Sequence, residues 1–420
     1  MSDQPPELDR EHLLTLYETA GEMNSTLEFD QALDNVIDAI MRLTKAQRGF
    51  LMIAEEGTDE MQVLVARGVD GETLEQEGYS TTIVNEVIST RVALLTNNAQ
   101  FDQRFSAGQS IIMRGLRAIL CAPMLVHDRL VGVIYVDTSM RTSIFTEADR
   151  NLLDLVAGQA GRAIENARLY SVAVEKGRME RELQMASEIQ RGLMPRQMPR
   201  IPGYEIMPQW KAAREVAGDF YDGFALGPES FGVVIADVSD KGAPAAMIMA
   251  VARTLMRSSA FAGLSALDTV KRANELILED AERGGMFVTV FHSMFDVDGH
   301  SIHVNAGHNP PLLYRRASNS TEYLPIGGRA IGWFYENPVK EVHIQLEPGD
   351  VLVYYTDGLT EAENPASDYY GEERLSEAVL QCAGQSAKDI LEYIIDDVDA
   401  FCAGRPPFDD LTMIVVRYTG

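Results

Sequence analysis

Four apolar, β-prone runs in the C-terminal half of this chain each end on or beside an aspartate. They are Asp219 in "EVAGDFYDGF", Asp237 in "FGVVIADVSDKGAPAAM", Asp357 in "DVLVYYTDGLTEAEN", and the pair Asp409 and Asp410 in "FDDLTMIVVRY". One aspartate at a strand end is ordinary turn chemistry. Four can converge where the strands of one fold end together, and converging carboxylates repel unless cations or protons neutralise them. Hard oxygen ligands with no histidine or cysteine cluster select Mg²⁺ or Mn²⁺ rather than zinc. A pair of such ions can activate water and neutralise charge on a phosphoryl group. Asp222, three residues after Asp219, is expected to support metal-bound water or to cap a turn.

The 420 residues exceed one usual hydrophobic core, so two domains, or three, are the starting expectation. Thirty-six basic against 63 acidic residues give a formal charge of −27, which argues against nucleic acid or an anionic membrane as the main partner. No segment reaches 18 uninterrupted apolar residues, and the N-terminus lacks a signal pattern, so a cytoplasmic location is expected. The three cysteines, Cys121, Cys382 and Cys402, lack C-x-x-C spacing and read as buried or incidental thiols.

In the N-terminal half, helical spacing over about 11–44 suggests two helices. "GFLMIAEE" and "EMQVLVARG" read as strands with a turn around Gly57–Asp59, and "AILCAPMLVHDRLVGVIYVDT" as two strands joined at His127–Asp128. Thr146 is placed to cap the helix that follows. This order, with "RGFLMI", "LCAPMLVHDRLVGVIYVD" and "FTEADRNLLDLVAGQAGRAIENARLY", resembles a GAF domain over residues 12–170, which implies an antiparallel sheet with flanking helices and a possible small-molecule ligand. "NNAQFD", 97–102, matches the polar motif of cyclic-nucleotide-binding members only faintly, which leaves the ligand open.

A helix is expected over 160–194, where no proline occurs until Pro195. Ala160, Ile164, Ala167, Ser171 and Val174 step by four and three, as do Met179, Leu183, Ala186, Gln190 and Leu193. The two runs are out of phase around Gly177, which suggests a joint between two coiled-coil seams and a homodimer; packing of a single amphipathic helix on its own domain is the alternative. Residues 171–199 are thus a helical linker, ended by Pro195, Pro199 and Pro202.

From residue 200 to 420, "REVAGDFYD", "IADVSDKGAPAAM", "NAGHNPPLL", "YYTDGLTEAEN" and "DDLTMIVV", in that order and spacing, resemble the PPM (protein phosphatase 2C-like) metal-dependent serine/threonine phosphatases. They are most similar to the sporulation stage II protein E branch, which includes phosphatases that regulate sigma factors; "SEIQRGLMP" is also typical of it. The resemblance implies an α+β chain in which a β-sandwich flanked by helices follows the GAF domain and linker. It places Asp219, Asp237, Asp357 and Asp409 on the catalytic metal-ligand positions for two Mn²⁺ or Mg²⁺ ions, with the Val238 carbonyl as a backbone ligand and Asp410 at a neighbouring position that can share ligand duty. Arg214 falls where relatives place a phosphate-gripping arginine, and a fork of N–H donors suits phosphate. Ala217 and Asp240 stand where glycine is common; Asp tolerates the left-handed backbone, so the ligand set is kept. His308 reads as structural, and "FDVDGH", 295–300, as a hairpin turn rather than a calcium loop.

Two functions follow from this pattern. One is a phosphoprotein phosphatase regulated by its GAF domain, for which the resemblance implies a phosphorylated STAS-domain anti-sigma-factor antagonist as substrate. The other is a catalytically silent scaffold that binds a regulatory partner. The four filled acidic positions favour the enzyme, because a silent relative is free to lose ligands. No P-loop or histidine-rich metal motif supports a cyclase or phosphodiesterase output.

Overall fold

Runs rich in Val, Ile, Tyr and Phe separated by Gly, Asp and Pro turns build sheets in both halves of the chain. The computed structural model describes residues 20–23, 25–55, 61–69, 71–75, 77–97, 118–139, 145–281, 285–325 and 327–420. The helix expected before residue 20, the Gly57–Asp59 turn and most of "NNAQFD" lie outside them. Two compact units divide the chain between Arg178 and Met179.

The first unit is a five-stranded antiparallel sheet of order β2-β1-β5-β4-β3, built from β1 (Arg48–Ala54), β2 (Met61–Gly68), β3 (Leu94–Thr96), β4 (Ala118–Val126) and β5 (Arg129–Thr138). Helix α1 (Phe29–Thr44) packs Val36, Ile37 and Ile40 on one face, and α2 (Thr81–Thr90) packs Ile83, Val84 and Val87 on the other. The β4–β5 connection turns on His127 and Asp128, both left-handed (φ 47° and 64°), the conformation a two-residue hairpin loop requires.

Helix α3 runs from Glu147 to Leu193, 47 residues, without a break at Gly177. Thr146 opens it as expected: its hydroxyl accepts the Asp149 N–H (3.2 Å), and the Asp149 carboxylate accepts the Thr146 N–H (2.7 Å). The first expected seam is corrected by burial, because Ala160, Ile164 and Ala167 are fully or almost fully enclosed in the first unit, two of them within its main core. Gln190 leaves the second seam for the same reason: its amide is buried against the chain at Ala217. Between them Leu169, Tyr170, Val172, Val174, Met179, Met185 and Ile189 are exposed, so Val174 of the first seam and Met179 of the second stay uncovered.

The second unit stacks two five-stranded antiparallel sheets, β13-β10-β9-β8-β7 and β12-β11-β14-β15-β6. Their strands are β6 (Tyr204–Lys211), β7 (Phe220–Ala225), β8 (Ser230–Val238), β9 (Val288–Asp296), β10 (His300–Ala306), β11 (Leu312–Arg315), β12 (Ser320–Tyr323), β13 (Glu341–Gln345), β14 (Val351–Tyr355) and β15 (Leu411–Tyr418). Strand alternation sends Phe291, Leu352, Tyr354, Ile414 and Val416 into the shared core, and Val351, Val353, Tyr355, Met413 and Val415 to the outer face of the second sheet. Helices α4 (Ala243–Phe261) and α5 (Ala266–Ala281) cover the first sheet; after the single turn α6 (Asp357–Thr360), α7 (Gly371–Cys382) and α8 (Ala387–Cys402) cover the second. The result is the expected helix-flanked β-sandwich. The β9–β10 turn at "FDVDGH" is a hairpin with Gly299 at φ 86°. No helix among the described residues is long and apolar enough to cross a membrane.

Candidate active site

The four aspartates arrive from both sheets. Asp219 immediately precedes β7, Asp237 is the penultimate residue of β8, Asp357 follows β14 and Asp409 precedes β15. Strand pairing fixes their meeting point: the β14–β15 ladder continues into a Thr356 N–H to Thr412 carbonyl bond of 3.0 Å, which sets Asp357 beside the 409–410 segment. Gly358 is demanded by this approach, because a Cβ there would sit 2.0 Å from the Asp410 carbonyl oxygen. Gly218 is similarly tight, with the Val238 carbonyl oxygen 3.0 Å from where its Cβ would be.

Asp219 is buried, and its Oδ2 accepts hydrogen bonds from the hydroxyls of Thr356 and Thr412, each at 2.7 Å. Its main-chain carbonyl accepts from the Trp210 indole at 3.1 Å. Burial and the neighbouring Asp237 hold the Asp219 carboxyl well above the usual carboxylate range, against the two threonines. Burial, then the nearby Asp357, push Asp237 up to about 7, although a hydrogen bond with Asp219 opposes them. Asp357 is raised to about 6 by burial, Asp409 and Glu361, with the Gly358 N–H and Lys241 pulling the other way. The cluster therefore resists carrying its full negative charge without cations, as expected of converging carboxylates.

Asp409 is partly exposed. Its Oδ1 accepts the Asp410 N–H (2.9 Å) and its Oδ2 lies 2.7 Å from the Lys241 ammonium. Asp410 faces elsewhere: its two oxygens accept the N–H groups of Ala213 and Gly218, each at 2.8 Å, and so latch both ends of the loop that carries Arg214. Arg214 is exposed, with no hydrogen bond or ion pair to its side chain among the described residues. Asp240 is left-handed at φ 78°, in keeping with its place at a glycine position. His308 is buried, with Nδ1 on the Thr289 hydroxyl (2.8 Å) and its N–H on Asn305 (2.9 Å).

Asp222 corrects its expectation. It is a strand residue whose carboxylate pairs with Arg253 (2.9 Å) and Arg257 (2.7 Å) on α4, and its Oδ1 also accepts the Gly223 N–H (2.8 Å). It braces the sheet against the helix, away from the aspartate cluster. The three-residue step from Asp219 in an extended chain turns the two side chains to different faces.

Sequence reasoning passed over Thr356, Thr412, Gln190 and Lys241. The threonines had a legible signal, since each is a hydroxyl in an apolar strand-like run, Thr356 directly before Asp357 and Thr412 two residues after Asp410, and both are fully buried. Among the described residues no three His, Cys, Asp or Glu side chains stand as a ready coordination shell; Asp219 faces two hydroxyls and Asp409 an ammonium. The donor set fits hard cations: it is all oxygen, acidic and held at the ends of rigid strands.

Residues 227–419 match the family model described as stage II sporulation protein E, and residues 26–165 match that of the GAF domain. The protein IcfG of Synechocystis is 31% identical over 278 residues, which span 59% of this chain and 43% of the relative. Phosphoserine phosphatase RsbU of Bacillus subtilis is 25% identical over 293 residues, 70% of this chain and 84% of the relative. The chain thus spans less than half of IcfG but most of RsbU. In three dimensions it resembles the SiaA-PP2C domain of Pseudomonas aeruginosa with a TM-score of 0.50 and 19% identity, over 59% of this chain and 99% of that domain, a likeness of fold. This chain carries a GAF domain followed by a PP2C-type phosphatase domain of the stage II sporulation protein E kind.

Proposed function

We propose that the chain is a metal-dependent phosphoserine/phosphothreonine phosphatase. The observation that carries this reading is the convergence of Asp219, Asp237 and Asp357 with Asp409 as mutually repelling carboxylates, two of them pushed to about 7 and 6 by burial and by one another. Asp219, Asp237, Asp357 and Asp409, with the Val238 carbonyl, would hold two Mn²⁺ or Mg²⁺ ions. Bound there, the cations supply charge neutralisation and Lewis acidity for phosphate-ester hydrolysis.

The chain's own residues do the rest. Thr356 and Thr412 fix the Asp219 carboxylate, so the ligand loses little freedom when it binds. Asp410 serves as the latch of the 213–218 loop, which leaves it few free lone pairs for ligand duty. Arg214, presented by that loop, is free to grip a phosphoryl group through its planar fork. The exposed apolar residues of α3, from Leu169 to Ile189, support a homodimeric linker through which a GAF ligand would regulate the phosphatase domain. The resemblance to sigma-factor-regulating phosphatases supports a phosphorylated STAS-domain antagonist as substrate.

The deciding experiment is hydrolysis of a phosphoserine peptide and of a candidate phosphorylated STAS-domain protein by the full chain, with MnCl₂ and with excess chelator. Release of phosphate only with the cation is the expected result. Undiminished release in chelator overturns the metal-dependent reading.

A further inference from the structure

Lys241 lies four residues beyond Asp237, between Asp240 (φ 78°) and Gly242 (φ 82°), both at positive φ. Its ammonium lies 2.7 Å from Asp409 Oδ2, donates to the Phe408 carbonyl at 3.1 Å and stands 4.2 Å from the centre of the Phe408 ring. Both side chains of the ion pair keep 31% of their exposure. The same ammonium acts on Asp357. With the Asp410 N–H on Oδ1, both oxygens of Asp409 are engaged from within the chain.

Resting on the phosphatase reading above, we propose that Lys241 is a tethered cation that occupies Asp409 and must be displaced before a divalent ion can use that carboxylate. A divalent ion and an ammonium on one carboxylate oxygen repel each other, so the site holds one or the other. The Phe408 ring and carbonyl give the displaced ammonium a place to rest, which allows the exchange by rotation of the lysine side chain without refolding of the loop. Lys241 thereby sets how tightly the site takes up its metal: the tethered charge protects Asp409 at low cation concentration and yields at higher concentration.

The test is calorimetric titration of MnCl₂ into the full chain for the parent, Lys241→Met, Lys241→Gln and Lys241→Arg at one ionic strength. Methionine keeps an apolar stem over Phe408 without the charge, and glutamine guards against a packing defect peculiar to methionine. Both neutral variants should bind Mn²⁺ about fivefold to tenfold more tightly than the parent, the scale of a lost half-exposed ion pair and its repulsion. Lys241→Arg should stay within about twofold of the parent. Neutral variants that bind Mn²⁺ equally or more weakly overturn the proposal, because a lysine that merely ordered the loop would give that sign. Absence of Mn²⁺ binding in the parent and every variant would remove the metal-dependent reading together with this inference; equal binding in all four removes only the role of Lys241.

Discussion

Gln190 clamps Ala217 at two points: its amide N–H donates to the Ala217 carbonyl at 2.6 Å and its amide oxygen accepts the Ala217 N–H at 2.9 Å. Ala217 is two residues before Asp219, and Gln190 sits on the last turns of α3, so helix position and the first aspartate are joined through one side chain. Gln190→Leu leaves two buried main-chain groups without partners, each costing about 1–3 kcal/mol. The phosphatase unit of the variant should melt at lower temperature, and hydrolysis should fall even at saturating Mn²⁺. Parental melting and turnover in this variant would show that the clamp neither stabilises nor positions the loop.

Asp237→Asn separates charge repulsion from catalysis. Burial and Asp357 push Asp237 up to about 7, so below that pH the fold holds it mostly protonated and above it the carboxyl ionises against burial and its acidic neighbours. Protons are held more tightly by the folded than by the unfolded state, and stability from this group falls as pH rises from the ordinary carboxylate range through about 7. The asparagine variant should therefore melt higher than the parent at pH 8 without metal. Its hydrolysis should drop by about 10²-fold or more, since a metal site short of one charge activates water poorly. A variant that is active at saturating Mn²⁺ would remove Asp237 from the ligand set.

Arg214→Ala is expected to raise KM for a phosphoprotein several-fold, about 1 kcal/mol or more of lost binding, with a smaller effect on kcat. A grip on phosphate acts on ground and transition states alike. Steady-state kinetics decide the matter, and an unchanged KM returns Arg214 to the role of a solvated surface residue.

His292 is wholly buried between sheet strands, with Nδ1 donating to the Val233 carbonyl at 3.1 Å. Burial lowers its ring to about 4 from 6.5. As pH falls from about 6.5 towards 4 the unfolded chain takes up a proton that the folded chain refuses, so stability is lost with acidification. His292→Phe should flatten that part of the profile, and the parent-minus-variant difference should shrink by up to ~3 kcal/mol across the window. Denaturant unfolding at pH 7 and pH 4.5 measures it; parallel profiles would exclude His292 as a source of acid sensitivity.

Asp222→Ala strands Arg253 and Arg257 without their shared carboxylate, and Arg253 is nearly buried. Breaking such a pair from one side costs about 3–5 kcal/mol. The variant should unfold at markedly lower denaturant. Asp222→Asn should lie between, since its amide oxygen still accepts from one arginine.

The sequence by itself determined the elements and the chemistry of the donor set. Alternating apolar runs specified strands because burial of one face is a local, period-two property, and the aspartates at run ends were visible because a charge there interrupts the pattern. Gly218 and Gly358, beside two of those aspartates, owe their place to the Val238 and Asp410 carbonyls, which only the fold brings close. Only the tertiary structure decided which acids act together. Asp219 and Asp222 are near neighbours in the chain yet belong to different sites, because strand alternation and the position of α4 send one to the cluster and the other to two arginines. Asp410 sits beside Asp409 but binds main-chain N–H groups nearly two hundred residues away. The seam expected from Ala160, Ile164 and Ala167 dissolved for a like reason: helical spacing fixes which residues share a face, while what that face meets depends on segments distant in sequence. Gln190 and Lys241 stand in segments the sequence singled out, but nothing local marked a role at the site for either. Each acquires its meaning from a partner that pairing and packing of the sheets bring alongside.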